Sequence, residues 1–361
     1  MIVAIIGCGL IGRKRALALS ADDKLSACCD TNLDIAKKFA QDFSCNYFTD
    51  YKKLLDEVDC DVVVVSVVNK YAKDIIIDSI KNNKNVIAEK PLGRNLAEAK
   101  EIVSYLSVIS TEPALPVGRS SKEKSFNQQF NNSTNKQLNT STLKTGFNHR
   151  FHPAIWQAKQ MADEGKIGKI FNIRARYGHG GRSGMEKEWR ASKELCGGGE
   201  LLDQGVHVID LIRWFGGDVK EVFGKAETKF WDMEVEDNAF AILKTKDDVT
   251  ASFHVSWTNW KNIFSFEIFG TDGYLKIEGL GGSYGQETLE FGKRKKEGGR
   301  PDIEIFEFPS EDISWEKEWE EFKKAIEEKR EPIGSGYDGQ KANEVIEAVY
   351  RSNLEKKVIK L

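Results

Sequence analysis

An aspartate and a histidine four residues apart, Asp203 and His207, lie in the segment GGGELLDQGVHVIDLIRWFGG (197–217). In a helix that spacing puts both side chains near one face, with Asp210 a further turn along. Leu202, Val206, Ile209 and Ile212 can then face a core while Asp203 and His207 point into a cleft. A carboxylate one turn from an imidazole can orient the ring and stabilise its protonated form, as a general base for a hydroxyl proton requires. Far upstream, Glu89-Lys90-Pro91-Leu92-Gly93 follows the apolar run NVIA (85–88). A lysine at the carboxyl end of such a strand is a cationic donor able to polarise a hydroxyl or carbonyl oxygen. Pro91 restricts Lys90 and admits either peptide isomer.

A second constellation binds rather than reacts. Gly7-Cys8-Gly9-Leu10-Ile11-Gly12 is a G-x-G-x-x-G placed directly between an apolar strand and a helix. Gly7 permits the tight turn, Gly9 lets the backbone approach a pyrophosphate, and Gly12 lets helix and strand pack closely. The helix N-terminus then offers free N–H groups and partial positive charge to the phosphates. Asp30, 18 residues after Gly12, closes the second strand. It can accept both adenosine ribose hydroxyls and would repel a 2′-phosphate, so the expected cofactor is NAD in preference to NADP. Arg13, Lys14 and Arg15 lie close enough to help a phosphate.

These groups need a scaffold, and the first half supplies one. Apolar runs at 2–6, 25–30, 61–68 and 85–89 alternate with helical patterns at 13–20, 33–43, 51–58, 73–83 and 97–106. Strands separated by helices imply βαβ units and a doubly wound parallel sheet. The alternation stops after Leu106. From Arg119 to Thr142, sixteen of 24 residues are Asn, Gln, Ser or Thr. That is too little apolar surface to offset ordering entropy, so 107–142 is expected to be a mobile, tolerated insertion. LKTGFNHRF (143–151) resumes as a strand, and 152–168 as a helix ended by Gly165 or Gly168. Period-two runs at 170–178 and between 220 and 308 predict a mainly antiparallel sheet, closed by helices at 314–329 and 338–353. The expected division is a nucleotide-binding domain at 1–148 and an α+β domain at 149–361, whose open sheet face suits subunit contact.

Composition excludes several classes. With 53 basic and 56 acidic residues among 361, the chain has no basic excess for a nucleic-acid groove. No apolar run nears the ~18 residues of a membrane span. The six cysteines form no C-x-x-C pair and no metal-like spacing, so no metal site is expected, and reduced thiols suit the cytoplasm. No export signal is read at the N-terminus. Candidate substrate contacts are His149 and Arg150 at the domain junction, and His179, Arg182, Trp189 and Arg190 in and after the loop YGHGGRSG (177–184). His152 is a further candidate, whereas His254, Trp257 and Trp260 are expected to pack.

Taken together, GCGLIG, Asp30, EKP (89–91), GFNHRF (146–151) and GGGELLDQGVH resemble the glucose–fructose oxidoreductase, inositol dehydrogenase and rhizopine-catabolism family, Gfo/Idh/MocA. The resemblance covers the chain apart from about 107–142. It implies an N-terminal Rossmann domain and a C-terminal open-faced sheet used in oligomerisation, as a homodimer or homotetramer. It also implies a catalytic set of Lys90, Asp203 and His207, with cofactor contacts from the glycine turn, Asp30, Ser66, Asn69, Glu89 and Lys90. Members often carry Thr-Pro-Asn-x-x-His where this chain has Ser66-Val-Val-Asn69-Lys-Tyr-Ala72, so the proline and histidine are lost. The implied activity is NAD-dependent oxidation of a secondary hydroxyl on a sugar, cyclitol or nucleotide-linked sugar. Two alternatives are an NAD-dependent glycosidase acting by transient oxidation and elimination, and a non-catalytic NAD-binding sensor.

Overall fold

The computed structural model describes residues 1–106 and 141–361; the insertion expected at 107–142 lies, but for its last two residues, outside the described residues. Six strands form the first sheet: β1 (Ile2–Ile6), β2 (Lys24–Cys29), β3 (Asn46–Phe48), β4 (Val62–Val65), β5 (Asn85–Ala88) and β6 (Leu143–Thr145). All pair in parallel, in the order β3-β2-β1-β4-β5-β6. The all-valine β4 is buried throughout, as a strand covered on both faces must be. The covering helices are α1 (Leu10–Leu17), α2 (Leu33–Phe43), α3 (Tyr51–Glu57), α4 (Asn69–Lys81) and α5 (Leu96–Ser104). Asn32, Asp50 and Asn95 cap α2, α3 and α5 with side-chain oxygens. By contrast, α1 starts at Gly9 with no side-chain cap.

The predicted strand 143–151 is shorter than expected. After β6 the chain bends at Gly146, where an added Cβ would come within 2.7 Å of Arg15. Asn148–Phe151 then form a 3₁₀ turn whose polar side chains are buried against partners from elsewhere in the chain. Helix α6 (Pro153–Asp163) ends before Gly165 and Gly168, which take positive φ of 75° and 70°.

Nine strands make the second sheet. They are β7 (Ile170–Gly178), β8 (Val219–Glu227), β9 (Asn238–Thr245), β10 (Thr250–Ser256) and β11 (Ile263–Gly270), then β12 (Gly273–Glu278), β13 (Thr288–Lys293), β14 (Asp302–Glu307) and β15 (Ile359–Lys360). Their order is β14-β13-β12-β11-β7-β10-β9-β8-β15, antiparallel except for the β7–β10 pair. Between β7 and β8 lie α7 (Lys193–Cys196), α8 (Glu200–Asp203) and α9 (Gly205–Gly216). The single helix expected over 197–217 is thus broken at Gln204. There the ladder tightens, since the His207 amide bonds the Gln204 carbonyl three residues back.

One face of the second sheet packs on α9, and its core joins Val206, Ile209 and Ile212 to Phe264 and Phe266. Two helices close the chain, α10 (Ser314–Glu327) and α11 (Gly336–Glu355). The expected boundary at 148/149 does not confine them. Trp319 and Phe322 of α10 enter the first sheet's core beside Ile5 and Val64, and Asn343 of α11 donates to the Leu92 carbonyl at 2.9 Å. Among the described residues, no helix is long and apolar enough to cross a membrane.

Candidate active site

A cavity of about 1170 Å³ lies where the carboxyl ends of the first sheet face the second domain. The glycine turn forms one end, and its three glycines do different things. Gly7 has φ +99°, and a Cβ there would lie 2.2 Å from the Ser66 carbonyl oxygen. A Cβ on Gly12 would lie 2.0 Å from the Gly7 carbonyl oxygen, so this glycine serves packing and does not line the cavity. A Cβ on Gly9 would meet nothing within 4 Å, leaving the uncapped N-terminus of α1 open to the cavity.

Leu10, Ile11, Asp30, Ser66, Asn69 and Glu89 also line this end. Asp30 accepts from the Cys8 and Asn32 amides at 3.1 and 2.9 Å, which fixes its carboxylate at the tip of β2. Ser66 donates to the Gly7 carbonyl at 2.8 Å. Asn69 donates to the Cys196 carbonyl at 2.8 Å, tying the two domains together. Glu89 is occupied by Arg15, whose Nε and Nη2 lie 2.7 and 2.6 Å from its Oε1. Arg15 also pairs with Glu318, and Arg13 pairs with Asp42, so of the three basic residues only Lys14 lines the cavity.

The other end holds Lys90, Asp203 and His207. Lys90, next to a cis Lys90–Pro91 bond, donates from Nζ to the Asp203 carboxylate at 2.8 Å and to its carbonyl at 2.6 Å. Arg190 Nε lies 3.4 Å from the second carboxylate oxygen. Burial pushes the Asp203 carboxyl up, but Lys90 and Arg190 outweigh it and hold the group down at about 2. Asp203 is therefore engaged by cations and is not the hydrogen-bond partner of His207 expected from their spacing. The tight turn at Gln204 separates them. His207 instead stacks on His149, ring centroids 3.7 Å apart, and its pKa is driven well below the usual histidine value by burial and then by Lys90.

One further expectation needs correction. Asp210, a turn beyond His207, is buried and bound by Arg150 through Nε and Nη2 at 2.7 and 2.5 Å. Arg150, expected as a substrate contact, does not line the cavity; its remaining nitrogen pairs with Asp338 at 3.2 Å. His179, Arg182, Trp189 and Arg190 do line it, with Arg182 held by Glu188 at 2.7 Å and Arg190 lying over the Trp189 ring. Among the described residues, no group of His, Cys, Asp and Glu could hold a metal ion.

A family model of an NAD-binding Rossmann oxidoreductase matches residues 1–107, and the GFO/IDH/MocA C-terminal domain matches 155–276. The chain belongs to the Gfo/Idh/MocA family. Levoglucosan dehydrogenase of Pseudarthrobacter phenanthrenivorans is 23% identical over 311 residues, covering 76% of this chain and 72% of that protein. Trans-1,2-dihydrobenzene-1,2-diol dehydrogenase of Xenopus tropicalis is 25% identical over 223 residues, 60% of this chain but only 57% of that protein. A solved levoglucosan dehydrogenase in complex with NADH and levoglucosan superposes with a TM-score of 0.83 over 100% of this chain and 99% of that one. At 20% identity that likeness speaks for the fold.

This Gfo/Idh/MocA cavity also contains residues that sequence reading did not select. Tyr177, Gln204, Tyr284, Asp312 and Trp315 all line it. Tyr177 lies at the end of β7 and Gln204 at the break between α8 and α9; both fall inside segments already noted, YGHGGRSG and GGGELLDQGVH, but at positions given no role there. Tyr284 and Asp312 come from the connections after β12 and β14, and Trp315 from the first turn of α10; only their aromatic or acidic character was visible. His152 lines the cavity as well, 3.1 Å from Glu287. Trp257 is fully buried, His254 stacks on Phe240, and Trp260 is exposed rather than packed in a core.

Proposed function

We propose that the protein is an NAD-dependent dehydrogenase that oxidises a secondary hydroxyl of a sugar, cyclitol or nucleotide-linked sugar. One observation carries this reading: Lys90, Asp203 and His207 converge in the same cavity that the glycine turn opens onto. NAD, when bound, supplies the hydride acceptor. The open approach to Gly9 and the free amides of α1 suit its pyrophosphate, and the fixed carboxylate of Asp30 suits its adenosine ribose. Arg13 and Arg15 are committed to carboxylates, which supports NAD over NADP.

His207 takes the proton from the reacting hydroxyl, and its depressed pKa keeps the ring neutral and able to accept. Lys90 uses two of its three N–H donors on Asp203 and keeps the third for the reacting oxygen as negative charge builds there. Asp203 holds Lys90 in place and, being ionised, accepts from a neighbouring substrate hydroxyl. Arg182 and Arg190 face carboxylates of the protein itself, which favours an uncharged, polyhydroxylated ring in this part of the site. The named activities of the relatives, on levoglucosan and on a ring diol, support the same class. Six free cysteines suit a reducing cytoplasm. Subunit association is proposed through the outer face of the second sheet, where Phe223, Phe240 and Ile242 are about half exposed.

The test is a panel of hexoses, anhydrosugars, cyclitols and nucleotide-linked sugars assayed for NADH formation, with NAD and NADP in parallel. Turnover with NAD that falls about 10²–10⁴-fold in Lys90→Ala and His207→Ala is expected. Cleavage of an aryl glycoside without net NADH would replace this reading with the glycosidase one.

A further inference from the structure

The catalytic histidine of the proposed mechanism has an unusual second side. Its Nδ1 is buried and, among the described residues, makes no hydrogen bond. In most catalytic histidines that nitrogen is bonded to a carboxylate or carbonyl, which sets the ring's plane and tautomer. Here the nearest constraint is another ring. His149 lies face to face with His207 at 3.7 Å between centroids and 17° between planes, while Phe147 meets His207 edge-on at 6.0 Å.

His149 is anchored where His207 is not. Its Nδ1 is 3.3 Å from Asn148 Oδ1, and its Nε2 is 3.1 Å from the Tyr177 hydroxyl. The direction of each bond follows from what lies beyond it. Ser314 Oγ spends its single hydrogen on the Asp312 carboxylate at 2.6 Å, so it can only accept from Asn148 Nδ2 at 2.9 Å. That turns the Asn148 oxygen towards His149; burial keeps this ring neutral, so its single proton sits on Nδ1. Nε2 is left with a lone pair, and it accepts the Tyr177 O–H. Tyr284 is hydrogen-bonded to Tyr177 and accepts from Gln204 Nε2 at 2.9 Å; its own O–H can then go to the Tyr177 oxygen, which leaves the Tyr177 hydrogen for His149 and braces the tyrosine side. Both nitrogens of His149 are thereby used within the protein, which leaves neither for substrate.

We propose that His149 is a positioning residue for His207: an anchored, uncharged ring that holds the base in plane by stacking, in place of a hydrogen bond to Nδ1. The proposal rests on reading His207 as the base. It assigns Tyr177, Asn148 and Ser314 as the supports of that ring, not as substrate contacts.

The experiment is steady-state kinetics on the panel polyol with the highest turnover, joined to nitrogen-15 NMR of the full-length, histidine-labelled protein. His149→Ala should lower kcat about 10–100-fold while KM changes less than about twofold, the signature of a misplaced base. Combined with His207→Ala it should add no further loss, because His149 acts only through His207. The NMR spectrum should show His149 protonated on Nδ1 and bare on Nε2 near neutral pH. If His149→Ala does not fold, Tyr177→Phe removes only the hydroxyl; kcat should fall about 3–10-fold, the worth of one hydrogen bond, and the His149 tautomer should become mixed. A loss confined to KM, additive losses in the double variant, or an Nε2-protonated His149 overturns the proposal and leaves the base assignment standing. A harmless His207→Ala overturns the base assignment and this proposal with it.

Discussion

Lys90 and Asp203, 113 residues apart, meet through two hydrogen bonds of 2.8 and 2.6 Å from one ammonium. The contact joins the domains at the chemical end of the cavity and, with Arg190, keeps Asp203 ionised despite its partial burial. The pH consequence has a definite sign. A carboxyl held at about 2 when folded, against 3.8 ordinarily, stabilises the fold fully above the ordinary value and loses that contribution as pH falls towards 2. Asp203→Asn should therefore lower Tm at neutral pH and flatten its fall across that acid interval. Thermal melts of both proteins over the interval check it; parallel curves would mean that the Asp203 charge is not linked to folding.

Gly9 and Gly12 separate binding from packing within one motif. A side chain at Gly9 meets open space in the protein, whereas one at Gly12 meets the Gly7 carbonyl oxygen at 2.0 Å. Gly9→Val should keep its stability within about 0.5 kcal/mol of the parent, yet bind NAD at least about tenfold more weakly, because the added methyls occupy the approach to the α1 amides. Gly12→Ala should cost about 3 kcal/mol or more, since backbone cannot move aside as a side chain can. Denaturant titration and NAD titration by fluorescence, run on both variants, give the two readouts independently. Equal loss of stability in the two would refute the division.

What was legible in the sequence is local. The wholly apolar β1, the G-x-G-x-x-G beside it, and Asp30 at the end of β2 each depend on neighbours within one βαβ unit, so their types and spacing announced them. Period-two runs found the second sheet for the same reason. What was not legible depends on distant partners. Arg150 reads as a free cation in sequence, but its acceptors come from α9 and α11, 60 and 188 residues on. The spacing of Asp203 and His207 promised a direct pair, and the tightened turn at Gln204 gave each a partner from elsewhere. Tyr177 shares the buried alternation of β7 with core residues, so nothing in its pattern separates a cavity wall from a core. Trp319 and Phe322 follow a helical stripe that says what is buried but not against which sheet.

Arg150 therefore predicts a change in stability rather than in substrate affinity. Arg150→Ala leaves Asp210 as a buried carboxylate without its guanidinium, a kind of change that costs about 3–5 kcal/mol. The soluble fraction of that variant should unfold at much lower denaturant while its KM for the panel polyol stays within about twofold of the parent. A raised KM in a protein of unchanged stability would return Arg150 to the substrate site.

The outer face of the second sheet offers a similar choice. Ile242 is 55% exposed beside Phe223 and Phe240. If copies associate there, Ile242→Lys places an ammonium in an apolar contact and should weaken association at least about tenfold, read by sedimentation velocity. A protein that is monomeric before the substitution, or an unchanged oligomer after it, excludes this face as the interface.

Asp30 decides between the two nicotinamide cofactors. Its carboxylate is held by the Cys8 and Asn32 amides, so its charge stays at the tip of β2 whether or not a nucleotide is present. Losing two charge-assisted hydrogen bonds to ribose hydroxyls corresponds to about 3–6 kcal/mol, or roughly 150–25,000-fold in affinity. Asp30→Ala should weaken NAD by at least the lower figure. It should also narrow the gap to NADP, since the repulsion of a 2′-phosphate is gone and Lys14 still lines the cavity. Dissociation constants for both cofactors, measured on parent and variant, test this directly. If the parent binds NADP more tightly than NAD, Asp30 does not set the preference, and Lys14 becomes the residue to change next.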